Sequence, residues 1–289
     1  MSRVIYVNGR YQPYHSAAVH VEDRGFQFAD SVYEVIEVLA GKLVDAPRHL
    51  ERLERSLGEL SMPAPASRGA LIVIIAETLK RNRVTDGIVY IQVTRGAGPR
   101  DFAFPPAGTP PTLVVIARRQ SQSKIAATAQ TGIRVITRPD NRWGRCDIKT
   151  VMLLPACLAK HEAHEAGAKE VWFTDPQGFI TEGASSNAWI VTASGAAVTR
   201  PLSHHLLGGI TRRTLIDTIA GEGVKFDERP FTRDEALNAR EAFITSATNT
   251  VMPVVELDGN QIGDGRPGPL TRTLRGRFHH FADIQAPFV

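Results

Sequence analysis

The sequence has little cysteine, no long apolar run and no block of like charge. Among 289 residues, Cys146 and Cys157 are the only cysteines, and neither stands in a CxxC or zinc-finger spacing. A disulfide scaffold and a structural zinc site are excluded on that ground, and a reducing, cytoplasmic compartment is expected. No apolar stretch approaches the roughly 18–20 residues that cross a bilayer. The N-terminus, MSRVIYVNGRY, turns polar too early to read as a secretory signal. The net charge is +4, yet the densest basic groups (Lys80-Arg81-Asn82-Arg83, Arg118-Arg119, Arg212-Arg213) are short. A nucleic-acid stripe needs longer clustering with interleaved aromatics, and aromatics make up only 7% of the chain. An anionic small molecule accounts for the charge equally well.

What is present suits two globular domains, with 43% hydrophobic and 22% charged residues. VIYV, the Asn8-Gly9 pair and RYQP predict a hairpin. SVYEVIEVL predicts a strand that turns at Ala40-Gly41. In PRHLERLERSLGEL, Leu50, Leu53, Leu57 and Leu60 share a helical face, with Pro47 near the first turn. RGALIVIIAETLKRN predicts a second helix capped by Ser67. GIVYIQVTRG and TLVVIARR read as buried strands. These elements form a smaller N-terminal α+β domain over 1–120. Over 121–131, SQSKIAATAQT loses hydrophobic periodicity and reads as the linker. A larger C-terminal α+β domain is expected over 132–289. It contains the strand GIRVITR, a helix over about 150–166 ended by Gly167, and the strands EVWFT, GFIT and SNAWIV. A helix from Thr211, the strands AFITSA and PVVELDG, and a helix carrying Leu270, Leu274, Phe278 and Phe281 complete it.

Lys149 is the first candidate for chemistry. Only seven lysines occur, and most stand among polar neighbours, whereas Lys149 opens the apolar run IKTVMLL just after Arg142 and Arg145. Partial burial and nearby cations favour the neutral amine that a Schiff base requires. The plainer alternative, a lysine whose stem lies along apolar surface at a helix start, stays open. Glu182, in FITEGASSN, is a carboxylate among apolar and small residues and needs a partner. A protonated ring nitrogen would serve, and so would turn amides. In LLGGITRR, Gly208-Gly209 precede a helix start, which suits an anion held by backbone amides; a plain loop is the alternative. SAT, residues 246–248, ends a strand in the same style. Arg52 offers a phosphate-matching fork, and Arg100, in TRGAGPRDFAFP, could clamp a carboxylate. HEAHE has histidines three apart rather than the four of HExxH, so no metal is expected.

The ordered segments EDRGFQFADSVYEV, HLERL, YIQVTRGAGPR, RWGRCDIK, LAKHEAHEAG, TEGASSN, LGGITR and TSATNTVMPVVELDG carry more than any one of these residues. Together they resemble the fold type IV pyridoxal-phosphate enzymes, and most closely the D-amino-acid aminotransferases. The resemblance implies a two-domain α+β fold with pyridoxal 5'-phosphate bound through Lys149, which also shuttles the substrate proton. It implies that Glu182 holds the ring nitrogen, that Leu207 packs on the ring, and that Arg52, Ile210, Thr211 and Thr248 hold the phosphate. Gly209, Ser246 and Ala247 complete the cofactor set. Tyr33 and Arg100 belong to a trap for the substrate carboxylate, with Val35 lining the pocket. One position departs: where the family's PRxH pattern has histidine, this chain has Phe102, which cannot donate to a carboxylate.

The resemblance thus implies transamination between a D-alanine-like D-amino acid and 2-oxoglutarate or pyruvate, ping-pong through pyridoxamine phosphate, in a homodimer. An (R)-amine or branched-chain aminotransferase and an aminodeoxychorismate lyase are the alternatives within the fold. A metal-dependent hydrolase and a non-catalytic binding protein are those outside it.

Overall fold

The computed structural model describes residues 3–287 and divides the chain into two compact units. The first takes the chain up to Gln122, the short stretch Ile148–Met152 and the residues from Asp283 onward. The second takes Ser123–Asp147 and Leu153–Ala282.

In the first unit, β1 (Val4–Val7) and β2 (Arg10–Pro13) precede α1 (Arg24–Phe28), β3 (Ser31–Leu39) and β4 (Lys42–Val44). Helices α2 (Ala46–Glu59) and α3 (Arg68–Asn82) follow, then β5 (Gly87–Thr94) and β6 (Thr112–Arg119). The seven-stranded sheet runs from the C-terminal strand Ile284–Gln285 through β4, β3, β5, β6 and β1 to β2. The β1–β2 hairpin turns on Asn8 and Gly9, at φ 43 and 86°, the left-handed pair that matches strand twist. Strand β3 alternates strictly at first: Val32, Glu34, Ile36 and Val38 are buried, while Tyr33 and Val35 on the other face are half-buried. Helix α2 buries Leu50, Leu53 and Leu57 and packs on β3, each leucine contributing about 1.5–3 kcal/mol of apolar burial. Ser67 caps α3 by accepting the Ala70 N–H at 3.3 Å.

The second unit opens with α4 (Gln122–Thr131) and β7 (Ile133–Pro139), followed by α5 (Leu154–Glu165). Strands β8 (Glu170–Thr174), β9 (Ile180–Gly183), β10 (Asn187–Val191) and β11 (Ala197–Thr199) lead to α6 (Ile210–Gly221). Then come β12 (Phe226–Glu228), α7 (Arg233–Leu237), β13 (Glu241–Ser246), β14 (Thr250–Leu257), β15 (Asn260–Gln261) and α8 (Pro269–Phe281). The sheet order is β12-β11-β10-β13-β14-β7-β8-β9, with β15 beside β14. Its core holds the fully buried Trp172, Trp189, Phe173, Phe231 and Phe243, and Trp189 stacks on Phe243 at 5.5 Å between centroids.

Three local expectations change. Residues 122–131 of the expected linker form α4; its alanines favour helix despite weak periodicity, Ala129 is buried and Ile125 packs on the second unit's core. The helix expected from about 150 begins at Leu154, with Pro155 in its first turn, where a residue lacking an N–H is tolerated. Lys149 therefore lies in an irregular segment, at a tight turn closed by the Thr150 N–H on the Ile148 carbonyl at 2.8 Å, rather than at a helix start. Phe281 ends α8 at the surface, 37% exposed, while Leu274 and Phe278 are buried.

Candidate active site

The first unit gathers Lys149, Tyr33, Val35, Arg52, Arg100 and Phe102. Two backbone bonds fix the segment carrying Lys149 to the start of β3. The Tyr33 N–H donates to the Lys149 carbonyl at 3.0 Å, and the Val151 N–H donates to the Ser31 carbonyl at 3.1 Å. This pairing holds Lys149 Nζ 4.1 Å from the centroid of the Tyr33 ring. No carboxylate among the described residues pairs with that amine. Tyr33 in turn lies 5.6 Å from Tyr90, and the Tyr90 hydroxyl donates to Gln92 Oε1 at 2.9 Å. Burial pushes the Tyr90 phenol up to about 12. Val35 stands opposite Tyr90 in register.

Arg52 lies on α2 against the buried face of β3. Its Nε and Nη2 donate to the two oxygens of Glu34 at 2.7 and 2.8 Å, and His49 Nδ1 meets the same carboxylate at 2.7 Å. Burial opposes charge on Glu34, but Arg52 and His49 outweigh it and hold the carboxyl at about 2. Two donors of the expected phosphate ligand are thus engaged by a carboxylate that sequence reasoning missed. The signal was present: Glu34 stands on the apolar face of β3, where an unpaired charge is too costly.

The second unit gathers Glu182, Leu207, Gly209, Ile210, Thr211, Ser246, Ala247 and Thr248. Glu182 Oε1 accepts from Arg142 at 2.5 Å. Its Oε2 accepts from Asn187 Nδ2 at 3.1 Å and from the Leu207 N–H at 3.0 Å. Burial pushes the carboxyl up to about 7, against the pull of Arg142 and the Leu207 amide. The rest of the Arg142 fork is spent on Asp140, with Nε–Oδ1 at 2.9 Å and Nη2–Oδ2 at 2.8 Å. Arg145 likewise forks onto Asp147. Both arginines that the sequence set beside Lys149 are therefore neutralised by carboxylates of their own unit.

Gly209 is the N-cap of α6 and leaves the helix start without a side-chain cap. A Cβ at Gly209 would lie 2.1 Å from Asn187 Oδ1, so glycine is required for this close approach. Asn187 also donates to the Leu207 carbonyl at 2.9 Å, tying the Gly-rich turn to Glu182. Helix α6 packs on β13, whose end carries Ser246, Ala247 and Thr248. The hydroxyls of Ser246 and Thr248 lie 3.3 Å apart, and Arg275 pins the following turn through the carbonyls of Asn249 and Val251. The amides at the start of α6 are of the kind that could hold an anion. His161 is exposed beside Glu165 at 3.6 Å.

These residues fit pyridoxal phosphate. A carboxylate offers about four lone-pair sites, and Glu182 has three donors, which leaves room for one more, such as a ring N–H. The uncapped α6 start suits a phosphate, and Lys149 is an amine not committed to an ion pair.

A family model described as amino-transferase class IV matches residues 31–257. A D-alanine aminotransferase of Bacillus licheniformis is 39% identical over 268 residues, covering 93% of either chain. A second, from Staphylococcus haemolyticus, is 37% identical over 98% of this chain and 99% of its own. Among solved structures, an Escherichia coli branched-chain amino acid aminotransferase superposes with a TM-score of 0.88 at 25% identity, over 96% of this chain and 94% of that one. A T.th. branched-chain amino acid aminotransferase with pyridoxamine 5'-phosphate also reaches 0.88, at 26% identity over 96% and 93%.

Proposed function

Because the chain belongs to the class IV aminotransferases, we propose that it moves an amino group between a D-alanine-like D-amino acid and a 2-oxo acid, with pyridoxal phosphate as cofactor. Bound pyridoxal phosphate supplies the electron sink and amino carrier that divide such a reaction into two half-reactions. The observation that carries the reading is Glu182, a buried carboxylate raised to about 7 and only partly compensated. A cationic ring N–H would complete its coordination and favour its ionised form.

The other residues take the roles that the resemblance implies. Nζ of Lys149 attaches the cofactor and, when freed, takes the substrate's α-proton and returns it at the other end of the reacting system. Tyr33 confines that amine from one side. Gly209, Ile210 and Thr211 would present amides to the phosphate, Ser246, Ala247 and Thr248 would add donors, and Arg52 would add charge. Leu207 would pack against the ring. Arg100 receives the substrate carboxylate beside Tyr33, Val35 and Phe102. Substrates are small amino acids and 2-oxo acids. Among the described residues no helix is long and apolar enough to cross a membrane. Cys146 and Cys157 are both free thiols, which fits a reducing cytoplasm. Leu154 and Leu158, exposed one turn apart on α5, support burial in a homodimer.

D-alanine and L-alanine, each given with 2-oxoglutarate, test the reading through pyruvate release. Turnover of D-alanine is expected; turnover of L-alanine alone would overturn the stereochemical assignment. Lys149→Ala is expected to lose about a thousandfold or more of the rate. Normal turnover by that variant would overturn the mechanism.

A further inference from the structure

Three arginines and three phenylalanines of the first unit alternate in one stack. The Arg95 guanidinium carbon lies 3.7 Å from the centroid of Phe104. Arg24 lies 5.8 Å from Phe104 and 4.7 Å from Phe28. Arg100 lies 5.1 Å from Phe28 and 5.9 Å from Phe102. The rings of Phe28 and Phe102 are themselves 5.7 Å apart.

The two ends of this stack differ in charge balance. Arg24 and Arg95 are buried and share one oxygen of Asp30, at 2.8 and 2.7 Å. Arg24 also donates to the carbonyls of Asp101 and Ala103 at 2.7 and 3.1 Å, so it holds the loop that carries Arg100. Arg95 donates to the Leu60 carbonyl at 2.8 Å. Arg100 is exposed, and no carboxylate among the described residues meets it. Ring faces hold its position while leaving its fork of N–H donors unspent. Hydrophobic packing does not explain the loop's rings, because Phe102 is 81% and Phe104 65% exposed. Phe28 stands three residues before β3, the strand to which Lys149 is fixed, and the Arg95 N–H donates to the Asp30 carbonyl. The base of the stack is therefore continuous with the segment that carries the reactive amine.

We propose that this stack holds Arg100 as the receptor for the substrate carboxylate, with Arg24 and Phe28 as positioning residues for that contact. The inference rests on the proposed transamination of a carboxylate-bearing donor. It differs from that reading in assigning the alignment of Arg100 to aromatic faces anchored on the Arg24–Asp30–Arg95 cluster. A receptor held in this way binds substrate and transition state alike, so its misalignment raises KM and leaves kcat nearly unchanged.

The test uses the cofactor-loaded enzyme and whichever alanine enantiomer turns over. Phe28→Leu is expected to raise KM for alanine and for 2-oxoglutarate about 3- to 10-fold with kcat within about 2-fold. Phe102→Ala, at a position too exposed to unfold the protein, should move KM in the same direction by less. In an Arg100→Ala background Phe28→Leu should not change KM further, since Phe28 acts through Arg100. Equal KM effects in both backgrounds, or effects confined to kcat, would overturn the proposal. If Arg100→Ala alone leaves KM unaltered, Arg100 is not the receptor and the proposal falls with it. Activity on L-alanine only, with the KM pattern intact, would instead overturn the D-specific reading and leave the stack supported.

Discussion

Glu34 in the first unit and Glu182 in the second are both sealed from solvent and both touch an arginine, yet they shift in opposite directions. Burial opposes ionisation at each. At Glu34 two nitrogens of the Arg52 fork span both oxygens and His49 joins them, so the carboxyl falls to about 2. At Glu182 only one Arg142 nitrogen arrives, because the rest of that fork is spent on Asp140, and the carboxyl rises to about 7. Proximity of an arginine is therefore a poor guide to charge state; what counts is how much of its fork is uncommitted. The fully compensated glutamate stabilises its unit, and the under-compensated one is poised for a ligand.

The comparison breaks first at Glu34. Glu34→Ala leaves Arg52 and His49 facing a buried gap, and a loss of about 3–5 kcal/mol of unfolding free energy is expected from urea titration. An unchanged midpoint would mean the cluster contributes nothing to the fold. Acid acts on the same group. The Glu34 pKa is lower folded, about 2, than its ordinary 4.5, so its stabilisation is present above pH 4.5 and is lost as pH falls from 4.5 towards 2. About 3 kcal/mol should disappear across that window. Glu182 has the reverse sign: with a folded value raised to about 7, its contribution is full below pH 4.5 and is lost as pH rises to 7. Urea midpoints measured from pH 3 to 8 for Glu34→Gln and Glu182→Gln separate the two, each variant flattening a different limb.

Glu182→Gln sharpens the functional half. Asp140 still neutralises Arg142 in the variant, so folding should survive, while turnover falls about 100-fold because the ring nitrogen loses its anionic partner. A variant with full turnover would remove Glu182 from the chemistry and leave it as a satisfied core carboxylate.

Much of this was legible before any coordinates. The hairpin at Asn8-Gly9, the leucine face of α2 and the Ser67 cap follow from short-range rules, and each appears in place. Lys149 and Glu182 were singled out by their apolar neighbours, but their partners were not. Arg142 read as a cation acting on Lys149, whereas its charge is met by Asp140 and Glu182. Such pairings join residues 40 or more apart in sequence, or are decided by competition between two carboxylates, and no periodicity encodes them. Helix α4 was missed because an alanine-rich segment with one buried face residue leaves almost no amphipathic signal. The aromatic stack is invisible for a different reason: Phe104 reads as an ordinary loop residue and Phe102 only as a replaced histidine until three arginines stand against their faces.

The smallest expected effect lies at Phe102, where the first unit presents an uncompensated cation just as the second presents an under-compensated carboxylate. Phe102→His keeps an aromatic face near Arg100 and adds an N–H that can donate to a carboxylate. If the substrate carboxylate is received here, kcat/KM for D-alanine should rise about 3- to 10-fold, the value of one added exposed hydrogen bond. The gain should appear in KM rather than kcat, and it should shrink for donors with bulky apolar side chains, for which the lost phenyl surface offsets the new donor. Steady-state kinetics on D-alanine and D-phenylalanine with 2-oxoglutarate would resolve both effects. Equal changes for the two donors would mean that Phe102 touches neither the carboxylate nor the side chain, and that Arg100 alone sets the contact.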